Sequence, residues 1–92
     1  SVSMYYSNIT KMEYKALELI EKNQKVPKGF RDTLDVMDLS FLNSAEQVAR
    51  ASLREGMDNG LHYKEIYILA KERVMSYAKT VTFARIETTK GE

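Results

Sequence analysis

The most regular feature of this sequence is a run of apolar and aromatic residues spaced alternately four and three apart between residues 63 and 84. Residues at these intervals lie on one face of an α-helix. We therefore predict a long amphipathic helix over residues 62–84, whose apolar face must be covered by another part of the chain or by a partner. The members of this heptad seam are Tyr63, Tyr67, Ala70, Val74, Tyr77, Val81 and Ala84.

The pattern changes near the end of this helix. Residues 80–89, TVTFARIETT, are rich in β-branched residues, and Val81, Phe83 and Arg85 alternate with their neighbours. Either the helix continues to about residue 84 or the tail becomes a strand. We favour the helix, followed by an extended or frayed end.

Two capping-box signatures predict further helices. Thr10 with Glu13 predicts a helix over residues 11–23, and Ser44 with Gln47 predicts another over residues 45–55. Gly56 then suits the left-handed position that follows a helix end.

A helix over residues 28–38 follows from apolar spacings of four, three and four at Phe30, Leu34, Met37 and Phe41. The predicted fold is an all-α, four-helix domain with a long C-terminal helix. Its 92 residues suit a single domain, with poorly ordered ends at residues 1–8 and 88–92.

The composition excludes several structural features. There is no cysteine, so disulfides and thiolate metal sites are excluded. The longest apolar run is residues 66–70, far shorter than the roughly 20 residues of a membrane-spanning helix. The N-terminal residues resemble no signal peptide, and we expect a cytoplasmic protein without membrane contact.

Three aspartates, Asp32, Asp35 and Asp38, are spaced three apart within the predicted helix over residues 28–38. At 100° per residue they occupy one broad face, roughly opposite the apolar stripe. A calcium loop would need alternating acidic residues and a glycine, which this segment lacks. We interpret the three as a solvated acidic face, and expect no metal and no cofactor.

Catalytic motifs are absent from the sequence. His62 is the single histidine, and the sequence contains no GxSxG, HExxH, P-loop or Rossmann glycine pattern. We therefore expect a protein that is not an enzyme.

Charge is distributed unevenly although the net charge is +1. Residues 1–31 contain six basic and three acidic residues. Residues 32–65 contain three basic and seven acidic residues, and residues 66–92 contain five basic and three acidic residues. The acidic residues of the middle segment either form ion pairs with the basic residues of the two ends within the fold, or form charged patches that a partner can bind. In the N-terminal part, lysines alternate with glutamates, which weakens any basic patch there.

These features leave two classes of function. The first is a protein-interaction domain of the adaptor, inhibitor or regulator type, which binds another protein or a second copy of itself through the helix over residues 62–84. Tyrosine favours such interfaces, and the interface residues would be those of the seam from Tyr63 to Val81. The same seam could instead close the intramolecular core.

The alternative is a nucleic-acid-binding regulator. The helices over residues 45–55 and 62–84, with a turn between them, resemble a helix-turn-helix arrangement, with Arg50, Arg54 and Lys64 as candidate contacts. The turn is longer than usual and the net charge is close to zero, so this class is the less favoured.

Overall fold

The computed structural model describes the backbone of residues 2–90 and the side chains of residues 7–81. Three α-helices make up most of this part of the chain: α1 (Val2–Ala16), α2 (Val36–Asp58) and α3 (Tyr63–Lys90). A short 3-10 helix at Phe30–Thr33 lies between α1 and α2, and residues 2–90 contain no strand. The all-α prediction is confirmed, whereas the predicted count of four helices is not, since the described residues contain three α-helices.

Helices α2 and α3 form an antiparallel hairpin. A turn over residues 59–62 reverses the chain, with Gly60 at a φ of 70° that glycine adopts without strain. Gly56 meets Ile66 close to the turn, and Glu55 forms an ion pair with Arg73. The most extensive contact between helices joins these two. The hairpin buries Leu42, Ala45, Ala49, Ser52 and Gly56 of α2 and Ile66, Ala70, Val74, Ala78 and Val81 of α3.

Helix α1 and the segment after it complete the core. Ile9, Met12, Tyr14, Leu17 and Ile20 are all buried. The Tyr14 ring meets that of Phe30 edge to face, with centroids 5.0 Å apart, a favoured aromatic geometry. The 3-10 helix therefore lies against α1.

Helix α1 differs at both ends from the predicted helix over residues 11–23. It begins upstream of Thr10, since Ile9 already belongs to the buried face. It ends early because Glu18 has a φ of 58°. The Leu19 amide donates to Tyr14 and the Glu18 amide to Lys15, at 2.9 and 3.1 Å, which is a Schellman motif.

The predicted helix over residues 45–55 is confirmed as part of a longer helix, whereas the predicted helix over residues 28–38 is wrong, because Phe30–Thr33 is a 3-10 helix and α2 begins at Val36. One helix, α2, spans residues 36–58, and Asp35 caps it by accepting a 2.7 Å hydrogen bond from the Asp38 amide. Ser44 is interior to α2, because the buried stripe starts before it, at Leu42. Tertiary burial of this stripe overrides the local capping signal.

The predicted C-terminal helix is confirmed, and α3 is longer than predicted. Its backbone is helical from Tyr63 to Lys90, so the extended end predicted beyond residue 84 is absent from the described residues. Residues 2–8 likewise belong to α1. Residues 1, 91 and 92 lie outside the described residues, and the order of the two ends stays a prediction.

Gly56 lies inside α2, not in the predicted left-handed position after a helix end. It is buried, and a Cβ atom there would lie 2.6 Å from Ile66 Cγ1. Glycine is therefore needed for the close approach of α3. We expect Gly56→Ala to lower the free energy of unfolding by about 1 to 2 kcal/mol, because overpacking outweighs the gain in helix propensity. Urea denaturation measures this change.

The matched control is the same substitution in an Ile66→Ala background. That variant lacks the Cγ1 and Cδ1 atoms that crowd the site, so Gly56→Ala should there be neutral or stabilising. An increase in stability on adding Gly56→Ala to the unmodified protein would contradict the steric explanation.

Candidate functional sites: a lysine groove and a buried glutamate

Two concave sites lie on different sides of α1. The first, the lysine groove, lies between α1 and α3 and has a volume of about 550 Å³. Its lysines are Lys11, Lys15 and Lys22 from α1 and the loop after it, and Lys71 from α3. All four are exposed. The other lining residues are Asn8, Met12, Ala16, Tyr67 and Met75.

Charge in the lysine groove has one sign. Among the described residues that line it there is no Asp or Glu. None of its lysines forms an ion pair with another described side chain. The groove is therefore a positively charged depression with an apolar base, since Met12 is buried, Tyr67 is half-buried and Met75 is 40% exposed.

The groove continues past the end of α1. A neighbouring depression shares Lys15, Ala16, Lys22 and Met75 with it and extends over residues 18–24. Glu18 and Glu21 join the lining there. The concave surface is thus elongated, basic along α1 and mixed in charge over the loop.

The second site, the Glu13 pocket, lies where α1, the 3-10 helix and α2 meet, and has a volume of about 200 Å³. Glu13 is only 3% exposed, and its Oε2 atom has no hydrogen-bond partner among the described residues. The other lining residues are Ile9, Thr10, Arg31, Glu46, Ala49, Arg50 and Leu53.

Burial determines the chemistry of Glu13. Loss of hydration, with a smaller contribution from the nearby negative charge of Glu46, raises its pKa from 4.5 to about 7. Arg31 and Arg50 oppose this change. Glu13 therefore exchanges its proton near neutral pH, which an exposed glutamate does not do.

Arg31 is already engaged by neighbours. It donates to Glu46 Oε1 at 2.7 Å and to Asn43 Oδ1 at 2.8 Å. The hydrogen bond to Glu46 raises the pKa of Arg31 above its usual value. The side chain of Arg50, in contrast, makes no hydrogen bond or ion pair with another described residue.

The structure separates the three aspartates. Asp32 lies in the 3-10 helix, Asp35 is the N-cap of α2, and Asp38 lies in its first turn. They do not share one helical face, because residues 28–38 are not a single helix. No group of three or more His, Asp or Glu in the described part of the chain is arranged to hold a metal ion.

The predicted interface residues lie largely in the core. Ala70, Val74 and Val81 are buried, and Tyr67 and Tyr77 pack against the core. Tyr63 is 57% exposed. In this fold the seam is the covered face of α3. Among the α3 residues whose side chains the structure describes, the large exposed apolar ones are Tyr63, Ile68 and Met75.

The candidate nucleic-acid contacts lie on α2 and at the start of α3. Arg50 and Arg54 are exposed and one turn apart on α2, so they are neighbours on its surface. Arg50 also lines the Glu13 pocket. Lys64 and His62 are exposed at the start of α3 and before it, and the His62 Nδ1 accepts from the Lys64 amide at 3.3 Å.

Sequence reasoning missed Lys71 as a partner of the N-terminal lysines and Glu13 as a buried residue. A signal for Glu13 exists, because it is four residues after Ile9 and next to Met12, on the apolar side of α1. The contribution of Lys71 depends on how α3 packs, so no local pattern reveals it.

Comparisons with protein-family models, curated proteins and solved structures give no match to this chain. Within the described residues, none of the helices combines the length and apolar character needed to cross a membrane.

Proposed function

We propose that this protein is a non-enzymatic protein-binding domain whose lysine groove takes an acidic, amphipathic helix of a partner protein. The observation that supports it is the combination of four exposed lysines with an apolar base, in a groove between two helices. Grooves of this kind bind amphipathic helices by their apolar face. Positive rim charges select acidic partners and accelerate association.

The apolar base favours a protein partner over a nucleic acid. Met12, Tyr67 and Met75 offer adaptable contacts to aliphatic side chains. Phosphate contacts need no such surface. Among the described residues that line the groove there is no arginine, the residue best suited to planar phosphate recognition. The net charge of +1 also provides little non-specific attraction to nucleic acid.

Charge reversal in the groove tests this proposal. The probe is a fluorescent amphipathic peptide of Leu and Glu, compared with a scrambled peptide of the same composition and with duplex DNA. We expect Lys11→Glu with Lys71→Glu to weaken binding of the amphipathic peptide by at least about tenfold, because two attractive charges become repulsive. Fluorescence anisotropy measures the affinity.

The matched control is Lys28→Glu with Lys79→Glu, which makes the same change in net charge at exposed lysines outside the groove. We expect little change in affinity for this pair. Equal weakening by both pairs, or equal binding of the scrambled peptide, would refute a specific groove. Tighter, salt-sensitive binding of DNA would support the nucleic-acid alternative instead.

Self-association through α3 is a second candidate. Ile68 and Met75 are 57% and 40% exposed and lie seven residues apart on one helix, so they share a face. A dimer of this kind would use this exposed side of α3, which borders the lysine groove at Met75, and not the seam. Light scattering of the unmodified protein tests it, and a monomeric mass would exclude it at the concentration measured.

A further inference from the structure

Two neighbouring apolar residues are exposed where α2 begins. Val36 and Met37 are the first two residues of this helix and are 84% and 56% exposed. The value for Val36 is the highest among the large apolar residues whose side chains the structure describes. Asp32 and Asp35, just before the helix, are exposed as well. We call these four residues the α2 tip.

The charge of the α2 tip is negative and is not neutralised by the fold. Residues 32–49 contain four acidic residues and no basic residue. Of the acidic residues, Glu46 is paired with Arg31. Neither Asp32 nor Asp35 forms an ion pair within the described part of the chain. Asp35 accepts a hydrogen bond from the backbone amide of Asp38, which leaves its carboxylate charged.

The lysine groove has the opposite charge and an apolar base, so it complements the α2 tip. No residue of the tip lines the groove or the depression that continues it. A single chain therefore leaves both surfaces uncovered by each other. The other large apolar residues that are more than half exposed are less suited to the groove, because each has an exposed basic residue within four positions in the sequence. They are Met57, Tyr63 and Ile68.

We propose that the lysine groove of one chain binds the α2 tip of a second copy of this chain. The inference rests on the proposed function, because it names a partner for the same groove. Val36 and Met37 would cover the apolar base, and the two aspartates would lie against the lysines. Removal of apolar surface from water supplies affinity, and opposite charges fix the orientation.

The contact joins two different surfaces, so it is a head-to-tail contact. Each chain in a pair keeps one free groove and one free tip, and further copies can add until a ring closes. The net charge of +1 leaves little repulsion between copies. We therefore expect a mass that rises with concentration, in contrast to the fixed dimer that a symmetric contact through α3 would give.

Sedimentation equilibrium of the full chain between about 10 μM and 1 mM tests this inference. Lys11→Glu with Lys71→Glu removes the groove, and Val36→Ser with Met37→Ser removes the apolar part of the tip. We expect each pair of substitutions to weaken association at least about tenfold. Circular dichroism verifies that both variants are folded.

Mixing the two variants in equal amounts is the decisive measurement. The first variant has an intact tip and the second an intact groove, so we expect the mixture to form species of two chains. These species should not grow, because the remaining tip lacks its apolar residues and the remaining groove is negatively charged. A mixture that stays monomeric would overturn the inference.

The matched control is Met57→Ser with Ile68→Ser, which removes exposed apolar side chains outside the tip and the groove. This variant should associate like the unmodified protein. Weakening by the control equal to or greater than that by the tip variant would overturn the inference, and would support association through α3. A monomeric unmodified protein at every concentration would overturn it too. If the amphipathic peptide still bound the groove of that monomer, the proposed function would stand alone.

Discussion

Val74→Asp is expected to destabilise the fold severely. Val74 is 0% exposed and belongs to the central core cluster. An aspartate there would bury a charge without a partner, which costs more than about 4 kcal/mol. Because small domains are stable by only about 5–15 kcal/mol, this cost removes a large part of the stability and lowers the thermal midpoint strongly. Far-ultraviolet circular dichroism and thermal denaturation measure this loss.

The matched control is Ile68→Asp on the same helix. Ile68 is 57% exposed, so its replacement should leave the helical signal and the thermal midpoint nearly unchanged. If α3 self-associates through its outer face, Ile68→Asp should reduce the mass measured by light scattering. A Val74→Asp protein with the thermal midpoint of the unmodified protein would contradict the placement of the seam in the core.

Glu13→Gln is expected to stabilise the protein at high pH and to remove much of its pH dependence. The folded state raises the pKa of Glu13 from 4.5 to about 7, so between these values it binds more protons than the unfolded chain. The free energy of unfolding therefore falls as the pH rises through this window, by about 3 kcal/mol in total. Glutamine does not ionise and avoids this loss.

Urea denaturation at a series of pH values measures the effect as a difference between variant and unmodified protein. The difference should be small below pH 4.5, grow up to about pH 7 and then stay constant. A constant difference over the whole range would contradict a buried, ionising Glu13.

Glu55→Gln is a control at a residue whose pKa changes in the opposite direction. The hydrogen bond from Arg73 lowers the pKa of Glu55, so ionised Glu55 adds stability above its unfolded pKa, and this contribution is lost as the pH falls through its folded pKa. Its replacement should therefore weaken the protein at neutral pH and have little effect in acid.

The structure also shows which local signals were misleading. Thr10 with Glu13 and Ser44 with Gln47 match capping boxes, yet both pairs lie inside helices. A capping signal contributes only about 1 kcal/mol. Burial of a continuous apolar stripe contributes more, so α1 and α2 run through these sites. The Schellman motif at Glu18 ends α1 with a residue that ordinarily avoids positive φ, which no sequence pattern indicates.

The candidate sites were only partly visible in the sequence. In the sequence, glutamates interleave with the N-terminal lysines and weaken any basic patch, but the fold turns Glu13 into the core and thereby separates it from Lys11 and Lys15. The charged groove thus arises from helix orientation, because residues near each other in the chain can face opposite sides of a helix.

The sequence by itself determined the all-α class, the long C-terminal helix and the turn before it, because heptad spacing and the Asn59-Gly60 pair act through local geometry. Only the tertiary structure decided that the seam faces inward, that α2 is one helix, and that Lys71 joins the α1 lysines. These outcomes depend on which apolar faces cover each other. Such pairing is a property of the packed chain, since a helical stripe specifies that it needs cover but not what supplies it.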